Sequence, residues 1–288
     1  MSPRSALATL GWADAELKCA AFIDVTRIAA THGIPVVPVK GVLTSRILYA
    51  DPSSRPMVDV DVRVRARDLD RLCAAGEQRG WRLLERSRAY CNAAFEVEGE
   101  RVELESHLGP PGFCCITADD LVARATEHVE PFGVPHLQPE VHDHALLMLV
   151  NVFKDQLVEA SHHALLDLVR IAKLPGFSFP MLAERARQGG VATLAWLVAE
   201  WMEREKGQPR WAELRAALGE RPPRPRYAAA FRFLATPGRE ASLPLRLLVR
   251  AAPDTLGMQA RALARTGAWM LETLRADPNL ALSRIGPR

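Results

Sequence analysis

Residues 57–64, with the sequence MVDVDVRV, alternate apolar and charged side chains with a strict period of two. Because successive side chains of a β-strand point to opposite faces, this alternation predicts a strand with one apolar and one charged face. We expect its valines, including Val58, to pack on the apolar side, while Asp59 and Asp61 project together from the other side. Two neighbouring carboxylates repel each other unless a cation lies between them, so the charged face is a candidate Mg²⁺ site. The same alternation also describes an edge strand with one face in water.

A second acidic strand is predicted at residues 101–107, with the sequence RVELESH. Its period-two pattern places Glu103, Glu105 and His107 on one face. A third carboxylate beside the aspartate pair would complete a site for two metal ions, the arrangement that stabilises the attacking and leaving oxygens in phosphoryl transfer. The residues alone do not choose between Glu103 and Glu105 as that third carboxylate.

Cationic and glycine residues precede the acidic strand. Lys40 and Gly41 directly follow a short β-branched run at residues 34–39 and precede a predicted helix. Glycine lets the backbone approach a ligand closely, and the amides that open a helix attract an anion. Arg55 lies in the loop before the acidic strand, where its guanidinium could bind phosphate oxygens with two hydrogen bonds. Alternatively, Lys40 is a solvated strand end and Arg55 forms a salt bridge with one of the aspartates.

The distribution of helix and strand signals predicts an α+β fold with two parts. The first 110 residues mix helical stretches with short strands, including a hairpin around Gly99. Beyond about Thr117 the helical pattern predominates and is interrupted by Gly and Pro pairs. We therefore predict a first domain at residues 1–115, built of a mixed sheet with flanking helices, and an all-helical region at residues 116–288.

Composition excludes several classes of protein. Hydrophobic residues make up 48% of the 288 residues and charged residues 25%, values typical of a folded globular chain rather than a disordered one. The balance of 37 Lys and Arg against 34 Asp and Glu gives a net charge of +3, which does not favour a nucleic-acid partner. We see no apolar run of the roughly 20 residues that a membrane span needs, and no signal peptide. With five cysteines and no C-x-x-C motif, the sequence predicts a cytoplasmic protein.

The order of these motifs resembles a known family. A strand ending in Lys-Gly, a short helix ending in Tyr, an Arg, an Asp-x-Asp strand and a later acid-x-His follow one another over residues 15–110, in the segments KGVLTSRILY, RPMVDVDV and VELESHL. This succession is similar to that of the uncharacterised bacterial nucleotidyltransferase family, which belongs to the DNA polymerase β-like superfamily. The resemblance implies a polymerase β-like catalytic domain followed by a helical region that presents the acceptor.

The resemblance also implies an activity and a set of site residues. The enzyme would transfer a nucleoside monophosphate from an NTP such as ATP to an acceptor hydroxyl, using two Mg²⁺ ions. Asp59 and Asp61 would be metal ligands, and Glu105 the third, because it stands two residues before the histidine as the family's acid does. The residues that would bind the triphosphate are Lys40, Gly41 and Arg55.

Two other functions fit parts of the sequence. A catalytically inactive module that binds nucleotides or another protein would share the fold, although its acidic set need not be intact. His142-Asp143, with Asp167 downstream, is compatible with a metal phosphohydrolase of the His-Asp type, but the dyad begins a predicted helix, where Asp is common anyway. Asp167 could otherwise face the active site as a base, or pair with Arg170 or Lys173 on its own helix. We expect the acceptor to be a small molecule, with protein or RNA as alternatives.

Overall fold

The structure, a computed structural model, describes residues 3–110, 112–154, 157, 162–235 and 243–276. Counted over these described residues, the chain forms two compact units, Met1–His107 with Thr117–Glu140, and Leu108–Ile116 with Val141–Arg288. The boundary predicted between residues 115 and 116 lies inside the short segment that packs with the helical unit. Among the helices of the described ranges, none combines the length and the apolar character that crossing a membrane requires.

A mixed sheet forms the centre of the first unit. Its five strands are β1 (Val36–Val39), β2 (Val60–Val64), β3 (Arg82–Ser87), β4 (Asn92–Val97) and β5 (Glu100–Glu105). They lie in the order β1-β2-β5-β4-β3, with β2 and β5 parallel and the other neighbours antiparallel. Glu98 and Gly99, both with positive φ, make the tight turn between β4 and β5. The predicted α+β class and the hairpin around Gly99 are therefore confirmed.

One face of the sheet is apolar and carries the core of this unit. Val60, Val62, Val102 and Leu104 alternate with the charged residues of β2 and β5 and are fully buried. Two helices, α1 (Pro3–Thr31) and α3 (Ala66–Arg79), contribute apolar side chains to the same core. Because this face is covered, the opposite face of β2 and β5 is the one that presents charged side chains.

Short elements connect and complete this unit. α2 (Lys40–Ile47) follows β1 without an intervening loop, and a 3₁₀ turn at Pro52–Ser54 precedes β2. α4 (Ala118–Arg124) begins at a capping box in which Thr117 and Asp120 satisfy each other's backbone amides. It is followed by an antiparallel hairpin of β6 (Thr126–His128) and β7 (His136–Gln138).

The second unit is helical in its described residues. Its helices are α5 (Val141–Lys154), α6 (His162–Ile171), α7 (Phe179–Gln188), α8 (Ala192–Arg204), α9 (Ala212–Leu218), α10 (Pro225–Leu234), α11 (Leu243–Arg250) and α12 (Leu256–Ala276). The apolar run of α5 is buried along nearly its whole length, and its Phe153 stacks on Phe231 of α10. The predicted helical character of the C-terminal region is confirmed.

Two local predictions are wrong. β2 begins only at Val60, because the chain bends at residues 58–59, and Val58 is 87% exposed instead of packing in the core. The region beyond Thr117 is not wholly helical, because β6 and β7 form a hairpin there.

Candidate active site

The charged face of the sheet brings most of the predicted acidic residues together. In the parallel pairing of β2 with β5, Asp61 lies opposite Glu103, and Arg63 lies opposite Glu105. Residues that face each other across neighbouring strands project from the same side of the sheet. These four side chains therefore form a charged array in two adjacent rows, with one carboxylate–carboxylate row and one arginine–carboxylate row.

We call the row of Asp61 and Glu103 the acidic row. Asp59 extends it beyond the start of β2. It lies in the bend just before β2 and is half-buried. Burial, together with the negative charges of Asp61 and Glu103, raises the pKa of Asp59 to about 6, while Lys40 and Arg101 oppose the rise. The carboxylate of Asp59 therefore lies where positive charge is in short supply, which is the electrostatic condition that favours binding of a cation.

Lys40 reaches the acidic row from the neighbouring strand. It is the first residue of α2 and adopts a left-handed backbone conformation, with φ +53°. Its Nζ lies 2.6 Å from Oδ1 of Asp61. Burial alone would lower the pKa of Lys40, but the charges of Asp61 and Glu105 outweigh burial and raise it. Lys40 is therefore a protonated, partly buried cation in direct contact with the acidic row.

Gly41 is the second residue of α2, directly after Lys40, and is itself buried. A Cβ at this position would lie 2.7 Å from Cβ of Met57, closer than two carbon atoms can approach. Only glycine therefore lets the start of α2 pack against the segment that leads into β2. The first backbone amides of a helix have no carbonyl partner within it, so they are suited to bind an anion at this point.

Arg55 lies in the turn between α2 and β2. It forms the C-cap of the 3₁₀ turn Pro52–Ser54, and its Nη1 donates a hydrogen bond of 2.6 Å to the carbonyl oxygen of Pro56. The role of Arg55 in binding the triphosphate stays a prediction.

The two glutamates of β5 have different surroundings. Oε2 of Glu105 lies 2.5 Å from Nη1 of the fully buried Arg63. Glu103 faces Asp61, contributes to the negative charge felt by Asp59, and accepts a hydrogen bond of 2.9 Å from Nε of Arg101. Glu103 is thus the glutamate that shares its surroundings with the aspartate pair, and Glu105 is the one held by a buried arginine.

Sequence reasoning missed the two arginines that accompany these glutamates. Arg63 stands two residues after Asp61, and Arg101 stands two residues before Glu103. Both therefore occupy charged-face positions of the same period-two pattern that identified the acidic residues. The spacing therefore carried a signal for both arginines. The contacts come from the structure: Arg63 pairs with Glu105 across β2 and β5, and Arg101 pairs with Glu103 along β5.

The chemistry of the donor set fits a divalent metal ion. Carboxylate oxygens are the ligands that Mg²⁺ prefers, and the raised pKa of Asp59, caused by burial and by like charges, marks a site that would gain from added positive charge. Among the described residues, however, no three His, Cys, Asp or Glu side chains are arranged to hold an ion together. In this conformation the ammonium of Lys40 supplies the positive charge at Asp61.

The His-Asp dyad of the helical unit has separate structural contacts. Nε2 of His142 accepts a hydrogen bond of 2.9 Å from the backbone N–H of Ser178, and its ring stacks on Phe177. Asp143 is fully buried and lies 3.2 Å from Nε of Arg185 on α7. Asp167 is also fully buried, on α6. These contacts give both dyad residues a role in packing α5 within the helical unit.

Comparison with known proteins gives a family and one structural relative. Residues 12–204 match the model of a family described as uncharacterised nucleotidyltransferase. The solution structure of the antibiotic-resistance factor ANT(2″)-Ia is similar at 15% sequence identity and a TM-score of 0.41, covering 67% of this chain and 97% of that one. None of the curated proteins matches the chain.

Proposed function

The chain belongs to the uncharacterised nucleotidyltransferase family, and from this premise we propose that it transfers a nucleoside monophosphate from an NTP to a hydroxyl group of an acceptor at the charged face of the sheet. The observation that carries the proposed site is the 2.6 Å contact between Nζ of Lys40 and Oδ1 of Asp61, made in the row where Asp61 faces Glu103. It places a cation and the opening of a helix next to a group of carboxylates.

Phosphate binding is the task of the residues at the start of α2. The ammonium of Lys40 and the backbone amide of Gly41 lie at the same end of this helix, where positive charge and free N–H groups converge. Arg55 would add a guanidinium from the turn before β2. Neutralising the triphosphate supplies most of the catalysis of phosphoryl transfer, so these three residues are expected to contribute to kcat as well as to nucleotide affinity.

The acidic row is the proposed metal site. Asp59, Asp61 and Glu103 would hold Mg²⁺, and we prefer Glu103 to Glu105 because Glu103 faces Asp61 whereas Glu105 is paired with Arg63. When bound, two such ions would polarise the α-phosphate and lower the pKa of the acceptor hydroxyl. The protein's own contribution would be to present Asp61 and Glu103 on one face of the sheet and Asp59 from the bend just before β2.

The acceptor would approach the α-phosphate in line with the departing pyrophosphate. The oxygen–phosphorus bond to the acceptor forms as the bond to pyrophosphate breaks, and the hydroxyl proton is released. We propose a small molecule as the acceptor, since a net charge of +3 is weak for a nucleic-acid partner.

Transfer is tested with each α-³²P-labelled NTP and a cell extract, followed by separation of small molecules, proteins and RNA. We expect one labelled class with the wild type and none with Asp59→Asn. Asp70→Asn is the matched control, because Asp70 is exposed on α3 and pairs with Arg86 away from the acidic row. A labelled product that is equally abundant with Asp59→Asn would disprove the assignment of the site.

The inactive binding module is the second candidate, and a thermal shift separates it from an enzyme. Stabilisation by Mg²⁺ with one NTP, accompanied by transfer, supports the enzyme. Stabilisation by a nucleotide without any labelled product in an extract from the source cell would favour a module that only binds.

A further inference from the structure

We infer that the ammonium of Lys40 is an internal counter-ion of Asp61, so that a divalent metal ion binds this carboxylate tightly only when the triphosphate of a nucleotide draws Lys40 away. The inference deepens the proposed function and rests on it. According to this inference, the side chain of Lys40 couples nucleotide binding to metal binding.

The contacts of Asp61 single out Lys40. Nζ of Lys40 lies 2.6 Å from Oδ1 of Asp61, whereas Nη1 of Arg63 lies 3.9 Å from the same oxygen. That arginine nitrogen is only 2.5 Å from Glu105, so its charge is already balanced by another carboxylate. Lys40 is therefore the closer of these two cations, and its removal would leave Asp61 with the more distant one.

The backbone under Lys40 is fixed, while its side chain can change partner. β1 runs directly into α2 at this residue, and the close packing of Gly41 on Met57 holds the start of the helix in place. The side chain of lysine is a flexible four-carbon stem with a compact charge at its end. A move from Asp61 to a nearby phosphate therefore needs rotation of the side chain alone.

Competition for one carboxylate oxygen makes the two binding events interdependent. An ammonium and a divalent ion repel each other, so Lys40 lowers the affinity of Asp61 for the metal ion as long as it stays in contact with this carboxylate. A triphosphate at the start of α2 offers Lys40 a stronger anionic partner in the same neighbourhood. By linkage, the nucleotide raises the affinity for metal and the metal raises the affinity for nucleotide by the same factor.

Mn²⁺ binding without nucleotide, measured by electron paramagnetic resonance of the free ion, tests this coupling. We expect Lys40→Met to bind Mn²⁺ about tenfold more tightly than the wild type, within the usual range of coupling between two ligands. Lys40→Arg keeps a cation and should bind as weakly as the wild type. Lys18→Met is the matched control, because Lys18 is also buried and paired with carboxylates, but those are Asp14 and Glu100, outside the acidic row. Equal or weaker Mn²⁺ binding by Lys40→Met would overturn the inference.

A second measurement follows the wild-type protein, and a variant is needed only to assign one signal. The chain has only five lysines, so ¹⁵Nζ/¹³Cε-labelled lysine gives a small set of signals, and Lys40→Arg identifies that of Lys40. Mg²⁺ with a non-hydrolysable ATP analogue should shift the Lys40 signal, while the same concentration of Mg²⁺ alone should leave it unchanged. A full shift with Mg²⁺ alone contradicts the inference.

These readouts separate the inference from the proposed function. Tighter Mn²⁺ binding by Lys40→Met, without nucleotidyl transfer by the wild type, would support Lys40 as the counter-ion of Asp61 and disprove the proposed activity. Transfer by the wild type, with unchanged Mn²⁺ binding by Lys40→Met, would support the proposed activity and disprove the role of Lys40 as counter-ion.

Discussion

Arg63 and Glu105 face each other across β2 and β5, and Nη1 of the arginine lies 2.5 Å from Oε2 of the glutamate. Arg63 is fully buried, whereas Glu105 keeps about a quarter of its side chain exposed. A guanidinium that is buried away from water is costly unless a carboxylate balances its charge. The pairing therefore gives Glu105 a structural task and leaves Glu103, one row closer to Asp59, as the candidate third ligand.

The different roles of Glu103 and Glu105 predict different outcomes for two matched substitutions on β5. Glu103→Gln should lower kcat at least about 100-fold, because it removes a charge that would act directly at the reacting phosphate. Glu105→Gln should lower kcat by no more than about tenfold, because Glu105 acts on the neighbouring cations Arg63 and Lys40 rather than at the reacting phosphate. Steady-state transfer assays at saturating NTP measure both. A larger loss for Glu105→Gln than for Glu103→Gln would reverse the assignment and restore the family-based choice of Glu105.

Removal of the buried arginine should chiefly affect stability. Arg63→Met leaves Glu105 without its ion pair and Asp61 with one cation fewer, and we expect a loss of about 3 kcal/mol in the free energy of unfolding. Arg101→Met on the neighbouring strand is the control. Arg101 also pairs with a glutamate but is more exposed, so its loss should cost less than about 1 kcal/mol. Urea unfolding gives both values, and equal losses would argue against a special role for the buried pair.

Local periodicity was sufficient to identify β2, β4 and β5 but not the site. The alternation around Asp61 identified β2, and the turn residues around Gly99 identified the hairpin, because both are signals between near neighbours in sequence. The alternation runs on through residues 58–59, so it does not mark the bend there. The strands β6 and β7 have three residues each, which is too short for a period-two pattern to be recognised.

The choice between the two glutamates shows the same limit at the level of chemistry. Glu103 and Glu105 have identical positions in the pattern of β5, so no rule of spacing separates them. The parallel register with β2 does separate them, because it places one opposite Asp61 and the other opposite Arg63. A parallel pairing joins strands that are far apart in sequence, here with α3, β3 and β4 between them, and for this reason it had to come from the structure.

The close packing at the start of α2 predicts that Gly41→Ala is damaging. An added Cβ would lie 2.7 Å from Cβ of Met57, so the helix start or the segment before β2 must shift. We expect a loss of about 1–3 kcal/mol in unfolding free energy, as for overpacking elsewhere, together with a raised KM for NTP. Gly257→Ala is the control, since an added Cβ there meets no atom within 4 Å. It should be neutral or slightly stabilising, and a Gly41→Ala variant that behaves likewise would contradict the close packing.

The buried imidazole of His144 predicts that the protein loses stability in mild acid. Burial lowers the pKa of His144 to about 4, and its Nε2 has no hydrogen-bond partner among the described residues. The unfolded chain, with an ordinary histidine pKa of about 6.5, therefore takes up this proton more readily than the folded protein. This difference in proton uptake has no effect on stability above about pH 6.5. As the pH falls towards 4, it lowers the free energy of unfolding progressively, by about 3 kcal/mol in total.

Comparison of pH profiles isolates this contribution from the other acids and bases that titrate in the same range. We expect urea unfolding of His144→Leu to show a shallower loss of stability between pH 6.5 and 4 than the wild type, even if the variant is less stable at neutral pH because its side chain packs differently. His32→Gln is the control, since His32 is exposed near the end of α1 and its replacement should leave the slope unchanged. The test is the difference in slope between His144→Leu and the wild type, not the stability at any single pH. A cavity or a steric clash would lower the free energy of unfolding equally at pH 6.5 and at pH 4. Identical slopes for His144→Leu and the wild type would mean that the proton is taken up elsewhere.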